Sequence, residues 1–348
     1  MSLRTSVVTS LAIGTLLVAG GYRLQAQAGQ YAKTVEIPIG GSAGFDYLYA
    51  DSVGKRLYVS HGMEAVVIDT STNTVVGRVT DTPGIHGIAI ANDLGRGFTS
   101  NGSEDKVSIF DLKTLQTLSK VDTGGKNPDA ITYDAKHKEV WAFNHTGKSA
   151  AEIDGATGKM VATIPLSGTA ETGAADAGLD RVFVHIEDTN SIDVIDIAMH
   201  KVIANWPVAP ATGPTGMAND AVTHRIFVGG GPSMVMIDAN SGKVVASAPI
   251  CMGTDATWYD SVAKMAFSSC SDGKITAVKV DGDKLTVVQT IDTEPRARTM
   301  AGDSVTHKLY VVAVKPDPNA PPPAPGSRGR GASALPDSFH ASVFEMKK

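Results

Sequence analysis

Histidine and carboxylate side chains recur in this chain at positions from which they could share one divalent metal ion. Imidazole together with carboxylate is the ligand set of Zn, Cu, Ni or Fe, whereas carboxylates alone suit Ca or Mg. The cofactor that this combination favours is therefore a divalent transition metal, Zn or Cu. The candidate metal ligands, which lie at the same end of short β-rich segments, are His61, His86, His145, His185 and Glu187.

A repeat positions these residues. An apolar residue followed by Asp closes a short β-rich segment about every 42 residues. The clearest pairs are Ile68-Asp69, Phe110-Asp111, Ile153-Asp154, Ile195-Asp196 and Ile237-Asp238. A second phrase, in which a polar residue opens an apolar run, keeps the same spacing, as in Arg56-Leu57-Tyr58-Val59 and Lys308-Leu309-Tyr310-Val311. Two phrases with one period indicate a repeat fold.

Each unit contains four short strands joined by turns rich in Gly, Asn and Asp, which is typical of a propeller blade. The fold class we expect is therefore all-β, a seven-bladed β-propeller with four antiparallel strands per blade. The last unit lacks its outer strand, and Lys33 to Ile39 resembles the outer strands of other units. We predict that this N-terminal strand closes the ring by pairing with Ser342 to Met346, since unpaired strand edges are otherwise exposed.

The innermost strand of each blade faces the central channel, so the repeat register predicts a ring of side chains at the channel mouth, which we call the upper face. The ring positions are Asp46, His86, Asp129, Glu171, Thr215, Asp255 and Arg298. The ligand-binding residues predicted from this ring are Asp46, Asp129, Glu171, Asp255 and Arg298. Polar residues also line the wet mouth of propellers that bind no metal, and this alternative stays open.

Arg298 has two interpretations. It could anchor a carboxylate or phosphate group of a ligand, or it could form a salt bridge across the channel to Asp255 or Asp46. The other histidines of the turns map to the opposite, lower face, where repeat-derived turn residues are expected. These are His137, His200, His224 and His307.

Residues 1–28 have the features of a signal peptide. Arg4 precedes an apolar run from Val7 to Ala19, and Ala26-Gln27-Ala28 is a cleavage site of the A-x-A type. An uncleaved anchor is the alternative, although the apolar run is short for a bilayer. We expect a mature chain from residue 29 to 348 that is periplasmic or secreted, with no transmembrane segment.

The charge balance disfavours nucleic acid as a partner. The chain has 31 basic and 36 acidic residues, and removal of Arg4 and Arg23 with the leader leaves 29 against 36, a net charge of −7. Nucleic-acid affinity depends on Lys and Arg that displace counterions. The partners we expect are a small molecule, a metal ion or a periplasmic protein, and the chain is expected to be a monomer.

Two further features leave alternatives open. Cys251 and Cys270 are the only cysteines, and they could form a disulfide, remain free thiols or act as soft metal ligands. Residues 316–337 are rich in Pro, Gly and Ala and are expected to be an insertion between two strands of blade seven. This insertion could be a lid or partner-binding arm, or a loop that the fold tolerates.

The repeat resembles the YVTN type, and the chain from residue 33 to 348 resembles the YncE family of exported seven-bladed propellers. The resemblance is carried by Leu57-Tyr58-Val59-Ser60, by the Ile-Asp pairs, and by Pro128-Asp129-Ala130 and Pro214-Thr215-Gly216. It implies a propeller fold and a surface or periplasmic binding role. Some YncE-like proteins are associated with DNA binding, which the acidic balance here disfavours, and more distant propellers include lyases with histidines around the axis.

Two functions follow as hypotheses. The first is an exported binding or scaffolding propeller that holds a ligand or metal ion at the upper channel mouth. The second is a metal-dependent enzyme, a lyase or an oxidoreductase, that uses a histidine and carboxylate cluster at the same place. Three or more of the four candidate histidines around one ion would favour the enzyme.

Overall fold

A computed structural model describes residues 30–41, 44–297, 299–319 and 334–347. Its described residues form seven antiparallel sheets of four strands each, arranged as a ring. This is the seven-bladed β-propeller that the repeat predicts. The described part of the chain contains no helix with the length and apolar character that crossing a bilayer requires.

The first three complete blades run in chain order from the channel outwards. Blade one is β2 (Phe45–Asp51), β3 (Arg56–His61), β4 (Glu64–Asp69) and β5 (Thr74–Val79). Blade two is β6 (Ile85–Ala91), β7 (Arg96–Asn101), β8 (Lys106–Asp111) and β9 (Thr117–Asp122). Blade three is β10 (Pro128–Asp134), β11 (Glu139–Asn144), β12 (Ser149–Asp154) and β13 (Lys159–Pro165).

The next three blades repeat the same order. Blade four is β14 (Ala170–Asp176), β15 (Arg181–Ile186), β16 (Ser191–Asp196) and β17 (Lys201–Pro207), with a short 3₁₀ helix (Glu187–Thr189) between its middle strands. Blade five is β18 (Pro214–Asp220), β19 (Arg225–Gly230), β20 (Ser233–Asp238) and β21 (Lys243–Pro249). Blade six is β22 (Thr254–Asp260), β23 (Met265–Cys270), β24 (Lys274–Asp281) and β25 (Lys284–Asp292).

Blade seven combines both ends of the chain. It consists of β26 (Met300–Asp303), β27 (Lys308–Ala313), β28 (His340–Met346) and the N-terminal β1 (Tyr31–Pro38) as its outer strand. β1 pairs with β28 from Tyr31 opposite Met346 to Pro38 opposite His340. The predicted closure of the ring is therefore confirmed. The insertion leaves the blade after β27, and Pro316 and Ala334 form an isolated bridge at its base.

The apolar core lies between the blades. The described residues form seven hydrophobic clusters, and each cluster combines buried side chains of two neighbouring blades. Side chains of a strand alternate between its two faces, so Val182 and Val184 pack towards blade three while Phe183 packs towards blade five. This alternation explains why nearly continuous apolar runs mark the second strand of each unit.

Aspartates at the lower ends of the inner strands hold neighbouring blades together. His224 of blade five donates its Nδ1 proton to Asp176 of blade four, at 2.9 Å, and His307 of blade seven donates to Asp260 of blade six, at 2.6 Å. Asn92 of blade two makes the equivalent contact with blade one. The turn histidines of the lower face therefore have a structural role in blade packing.

Candidate metal site at the channel mouth

The ring positions predicted from the repeat fall at the second residue of six inner strands, as the register required. In each of these strands the pairing register shifts next to that residue. A bulge of this kind can redirect a side chain out of the sheet. The seventh position, Arg298, lies outside the described residues, so neither interpretation of Arg298 is tested.

Three ring residues of blades one to three form the first ligand group, which we call group one: Asp46, His86 and Asp129. Their ligand atoms all lie within 4.8 Å of one another. The Nδ1 atom of His86 lies 2.7 Å from Oδ2 of Asp46 and 3.7 Å from Oδ1 of Asp129. Two ligands bound to the same Zn ion at its usual bond lengths lie about 3–3.5 Å apart, so small movements would let the three atoms share one ion.

A second ligand group, group two, comprises Asp129, His145 and Glu171, again with ligand atoms within 4.8 Å of one another. The Nδ1 atom of His145 lies 3.3 Å from Oε2 of Glu171 and 3.8 Å from Oδ2 of Asp129. His145 follows the second strand of blade three, and its Nδ1 proton also contacts the carbonyl oxygen of Ala170 at 2.8 Å. Blades three and four therefore supply a second set of the same ligand types.

Asp129 is common to both groups and is the most enclosed of the carboxylates. Its side chain is 13% exposed, and its Oδ1 atom is buried without a hydrogen-bond partner in the described structure. Burial is the main cause of a rise in the pKa of Asp129 to about 8; the charges of Asp46 and Glu171 contribute to this rise, and those of His86 and His145 oppose it. A carboxylate in this setting is stabilised by a nearby cation.

The pKa values of the two imidazoles are also raised, which in their case favours the charged form. Glu171 is the main cause of a rise in the pKa of His145 to about 9. Burial lowers the pKa of His86, but the hydrogen bond to Asp46 and the charge of Asp129 outweigh burial and the net pKa is raised. Without a metal ion, the arc from Asp46 to Glu171 is an alternating series of acids and imidazolium groups.

Tyr47 is part of the site although the sequence reasoning did not select it. It belongs to blade one, yet its side chain packs against the hydrophobic cluster of blades three and four, so it extends across the channel. Burial raises the pKa of Tyr47 well above its usual value, and Asp129, Glu171, Asp46 and Asp255 contribute in that order. Tyr47 is thus a neutral phenol beneath the carboxylate ring.

A signal for Tyr47 was present in the sequence. At the residue after the ring position, the other five inner strands have small side chains, namely Gly87, Ala130, Thr172, Gly216 and Ala256. One aromatic residue among five small ones, at the narrowest radius of a propeller, indicates a side chain that fills the channel.

The remaining predicted ligands do not join these two groups. His61 stacks on Phe339, with ring centroids 4.6 Å apart, at the interface of blades seven and one. His185 is completely buried in blade four, neither of its ring nitrogens has a hydrogen-bond partner in the described structure, and burial lowers its pKa to about 3. Glu187 opens the 3₁₀ helix of blade four. Asp255 occupies its ring position beside Tyr47.

The alternation of side chains explains the position of His185. His185 is two residues after Phe183, so both side chains lie on the same face of β15. His185 therefore points into the interface of blades four and five rather than towards the channel. The sequence places the residue near the upper end of its strand, but burial depends on which neighbouring side chains cover it. An imidazole in such a dry interface stays neutral.

Cys251 and Cys270 form a disulfide, with Cα atoms 5.8 Å apart. Cys251 follows the outer strand of blade five and Cys270 ends the second strand of blade six, so the bond joins two neighbouring blades at the upper face. Of the three alternatives that the sequence left open, the structure contains the bridge.

Comparisons with known proteins support the fold and identify neither a family nor an activity. No family model matches the chain, and no curated protein matches it. Hydrazine synthase from Kuenenia stuttgartiensis is similar in structure, with a TM-score of 0.69 and 15% sequence identity over 81% of this chain and 94% of that chain. A chain in the crystal structure of a mitotic checkpoint complex has a TM-score of 0.68 and 13% identity, over 89% of this chain and 96% of that one. At these identities the likeness defines the class of protein, a seven-bladed β-propeller.

Proposed function

We propose that this protein is an exported binding propeller that holds a divalent transition metal, Zn or Cu, at the upper mouth of its channel. The observation that carries the proposal is the arc formed by Asp46, His86, Asp129, His145 and Glu171, in which consecutive blades supply alternating carboxylates and imidazoles. A propeller fold is consistent with a binding or scaffolding role, since its loops and channel mouth form an open surface.

A metal ion accounts for features that simple ion pairing leaves unexplained. Among the described residues, the Oδ1 atom of Asp129 is buried and has no hydrogen-bond partner, and such atoms are rare in native structures. A bound cation would satisfy this oxygen and offset the repulsion among Asp46, Asp129 and Glu171. Metal binding would also displace the protons of the two imidazoles, as ligation by histidine requires.

The enzyme hypothesis receives less support. It depended on three or more of the candidate histidines around one ion, whereas each ligand group here contains one histidine. His61 and His185 pack in blade interfaces instead. We therefore favour binding over a lyase or oxidoreductase activity, and we attach no substrate to the site.

Export is the second element of the proposal. It is supported by the signal-peptide features of residues 1–28 and by the Cys251–Cys270 disulfide, because such bonds persist in oxidising compartments. Membership of the YncE-like propellers is proposed on the repeat phrases alone. Sequencing of the N-terminus of protein recovered from the periplasm or medium is expected to begin at Gly29, and recovery of the full-length chain from the cytoplasm would contradict export.

Metal analysis of untagged protein tests the binding function. Purified protein should contain Zn or Cu by inductively coupled plasma mass spectrometry, and ZnCl₂ added to metal-stripped protein should raise the melting temperature, because a ligand that binds only the folded state stabilises it. Asp129→Asn should remove this effect. Asp283→Asn, which removes a carboxylate that pairs with Arg225 away from the ring, should retain it. Metal-free protein that shows no thermal shift with Zn or Cu would refute the proposal.

A further inference from the structure

The two carboxylate oxygens of Asp129 face different histidines. Oδ1 lies 3.7 Å from Nδ1 of His86, and Oδ2 lies 3.8 Å from Nδ1 of His145. Beyond each histidine lies one further carboxylate, Asp46 at 2.7 Å from His86 and Glu171 at 3.3 Å from His145. The arc is thus nearly symmetric about Asp129, with one imidazole and one outer carboxylate on each side.

We propose that Asp129 bridges two metal ions, one in each ligand group, so that the channel mouth contains a dinuclear centre. This inference rests on the proposed metal-binding function and specifies its stoichiometry. The first ion would be bound by Asp46, His86 and Oδ1 of Asp129. The second would be bound by Oδ2 of Asp129, His145 and Glu171.

The spacing of the ligands favours two ions over one. The described residues that could hold an ion at the mouth form two groups of three that share Asp129, rather than one group of five with mutual distances within 4.8 Å. A single ion in either group would leave the imidazole of the other group without a metal. A bridging carboxylate, by contrast, holds two metal ions about 3.5–4 Å apart, as in many two-metal sites.

Each ion would have three protein ligands, which is fewer than a closed structural site has. The remaining coordination positions face the open channel mouth, since the ring residues line the upper face. These positions would be filled by water or by oxygen atoms of a ligand. The site would then be one in which a small oxygen-containing molecule can contact both ions.

Stoichiometry tests the inference separately from the binding function. Titration of untagged, metal-stripped protein with ZnCl₂ in a calorimeter should give two ions per chain. His86→Gln and His145→Gln should each bind one ion, Asp129→Asn should lose both, and the control Asp283→Asn, which removes a carboxylate that pairs with Arg225 away from the ring, should keep two. One ion per wild-type chain would overturn the bridge and leave the proposed function intact, whereas no binding at all would refute both.

A spectroscopic measurement covers the case in which Asp129→Asn fails to fold. Wild-type protein loaded with two equivalents of Cu²⁺ should give an electron paramagnetic resonance spectrum of exchange-coupled ions, with spin intensity well below two per chain, because a carboxylate bridge holds the ions about 3.5–4 Å apart. Two independent Cu²⁺ signals of full intensity would show that the ions are not bridged and would contradict the inference.

Discussion

The backbone at Gly102 passes so close to His86 that a Cβ atom there would lie 2.7 Å from the Nε2 atom of the imidazole. The same Cβ would lie 2.4 Å from the side-chain oxygen of Asn127. Gly102 therefore gives His86 the room to turn its Nδ1 atom towards Asp46 and Asp129. This contact makes Gly102 a positioning residue for the proposed metal site.

Gly102→Ala is expected to weaken Zn binding about 10-fold or more, a typical effect of disturbing the residues that orient a ligand. No ligand atom is removed, so the loss would reflect the displacement of His86 and of the neighbouring Asn127 side chain. Calorimetric titration with ZnCl₂ measures the affinity. The control is Gly178→Ala on the lower face, where a Cβ would lie 2.7 Å from Cε1 of His224. Equal loss of affinity in both variants would contradict the positioning role.

Ile37 of β1, which we call the closing strand, tests how much closure of the ring stabilises the fold. Its side chain is 1% exposed and packs in the cluster between blades seven and one. Ile37→Ala should lower the free energy of unfolding by about 2–4 kcal/mol, because truncation leaves a cavity in the interface that closes the ring. Thr34→Ser on the exposed side of the same strand keeps the hydroxyl that donates to the Val343 carbonyl oxygen, and should change it by less than about 0.5 kcal/mol. Urea denaturation compares the two, and equal effects would argue against closure by β1.

The upper end of the closing strand also holds an ion cluster with a defined pH range. Lys33 contacts Glu294 at 2.5 Å and Glu36 at 2.9 Å, and Lys315 contacts Glu36 at 2.8 Å. His340 lies 3.5 Å from Glu294. The pairing with His340 is the main cause of a fall in the pKa of Glu294 to about 2. A carboxyl group whose pKa falls on folding stabilises the protein above its ordinary pKa, and this stability disappears as the pH falls towards 2.

Glu294→Gln should therefore lower the free energy of unfolding by about 1–3 kcal/mol at pH 6, and by much less near pH 2, where about half of the wild-type groups are also protonated. The pKa of His340 is raised, since its pairing with Glu294 outweighs burial, so its own contribution is complete below about 6.5 and is lost as the pH rises through the raised value. Glu345→Gln, which breaks a surface pair with Lys308, should have little effect. A Glu294→Gln cost that does not depend on pH would contradict this account.

Glu139 in blade three should affect stability with a pH dependence opposite to that of Glu294. Burial, and then the charge of Glu152, raise the pKa of Glu139 to about 7. A carboxyl group with a raised pKa binds its proton more tightly in the folded state, so stability falls as the pH rises from about 4.5 to 7. Glu139→Gln cannot ionise and should be more stable than the wild type by about 1–3 kcal/mol at pH 8, with little difference at pH 4. Thermal unfolding across this range measures the difference, and greater stability of the wild type at pH 8 would oppose the prediction.

The sequence indicated the propeller because its signals are local and repeated. Each signal depends on a few neighbouring residues, as the Ile-Asp pairs, the turn residues and the strand lengths do. Because these signals recur about every 42 residues, together they indicate the fold more strongly than any one of them alone. The pairing of β1 with β28 was also predictable, since one unit lacked an outer strand. The placement of Asp46, His86, Asp129 and Glu171 at equivalent positions followed from the same register.

The sequence by itself determined which residues lie at the same height along the channel axis. This height depends only on the position of a residue within a repeated strand. The tertiary structure decided which of them meet. It separated His61 and His185 from the mouth, since their side chains pack in blade interfaces, and it brought Tyr47 across the channel to the opposite blades. The sequence marks Tyr47 as a large side chain at the channel but does not show which blades it contacts, because the direction and burial of a side chain depend on residues from other blades.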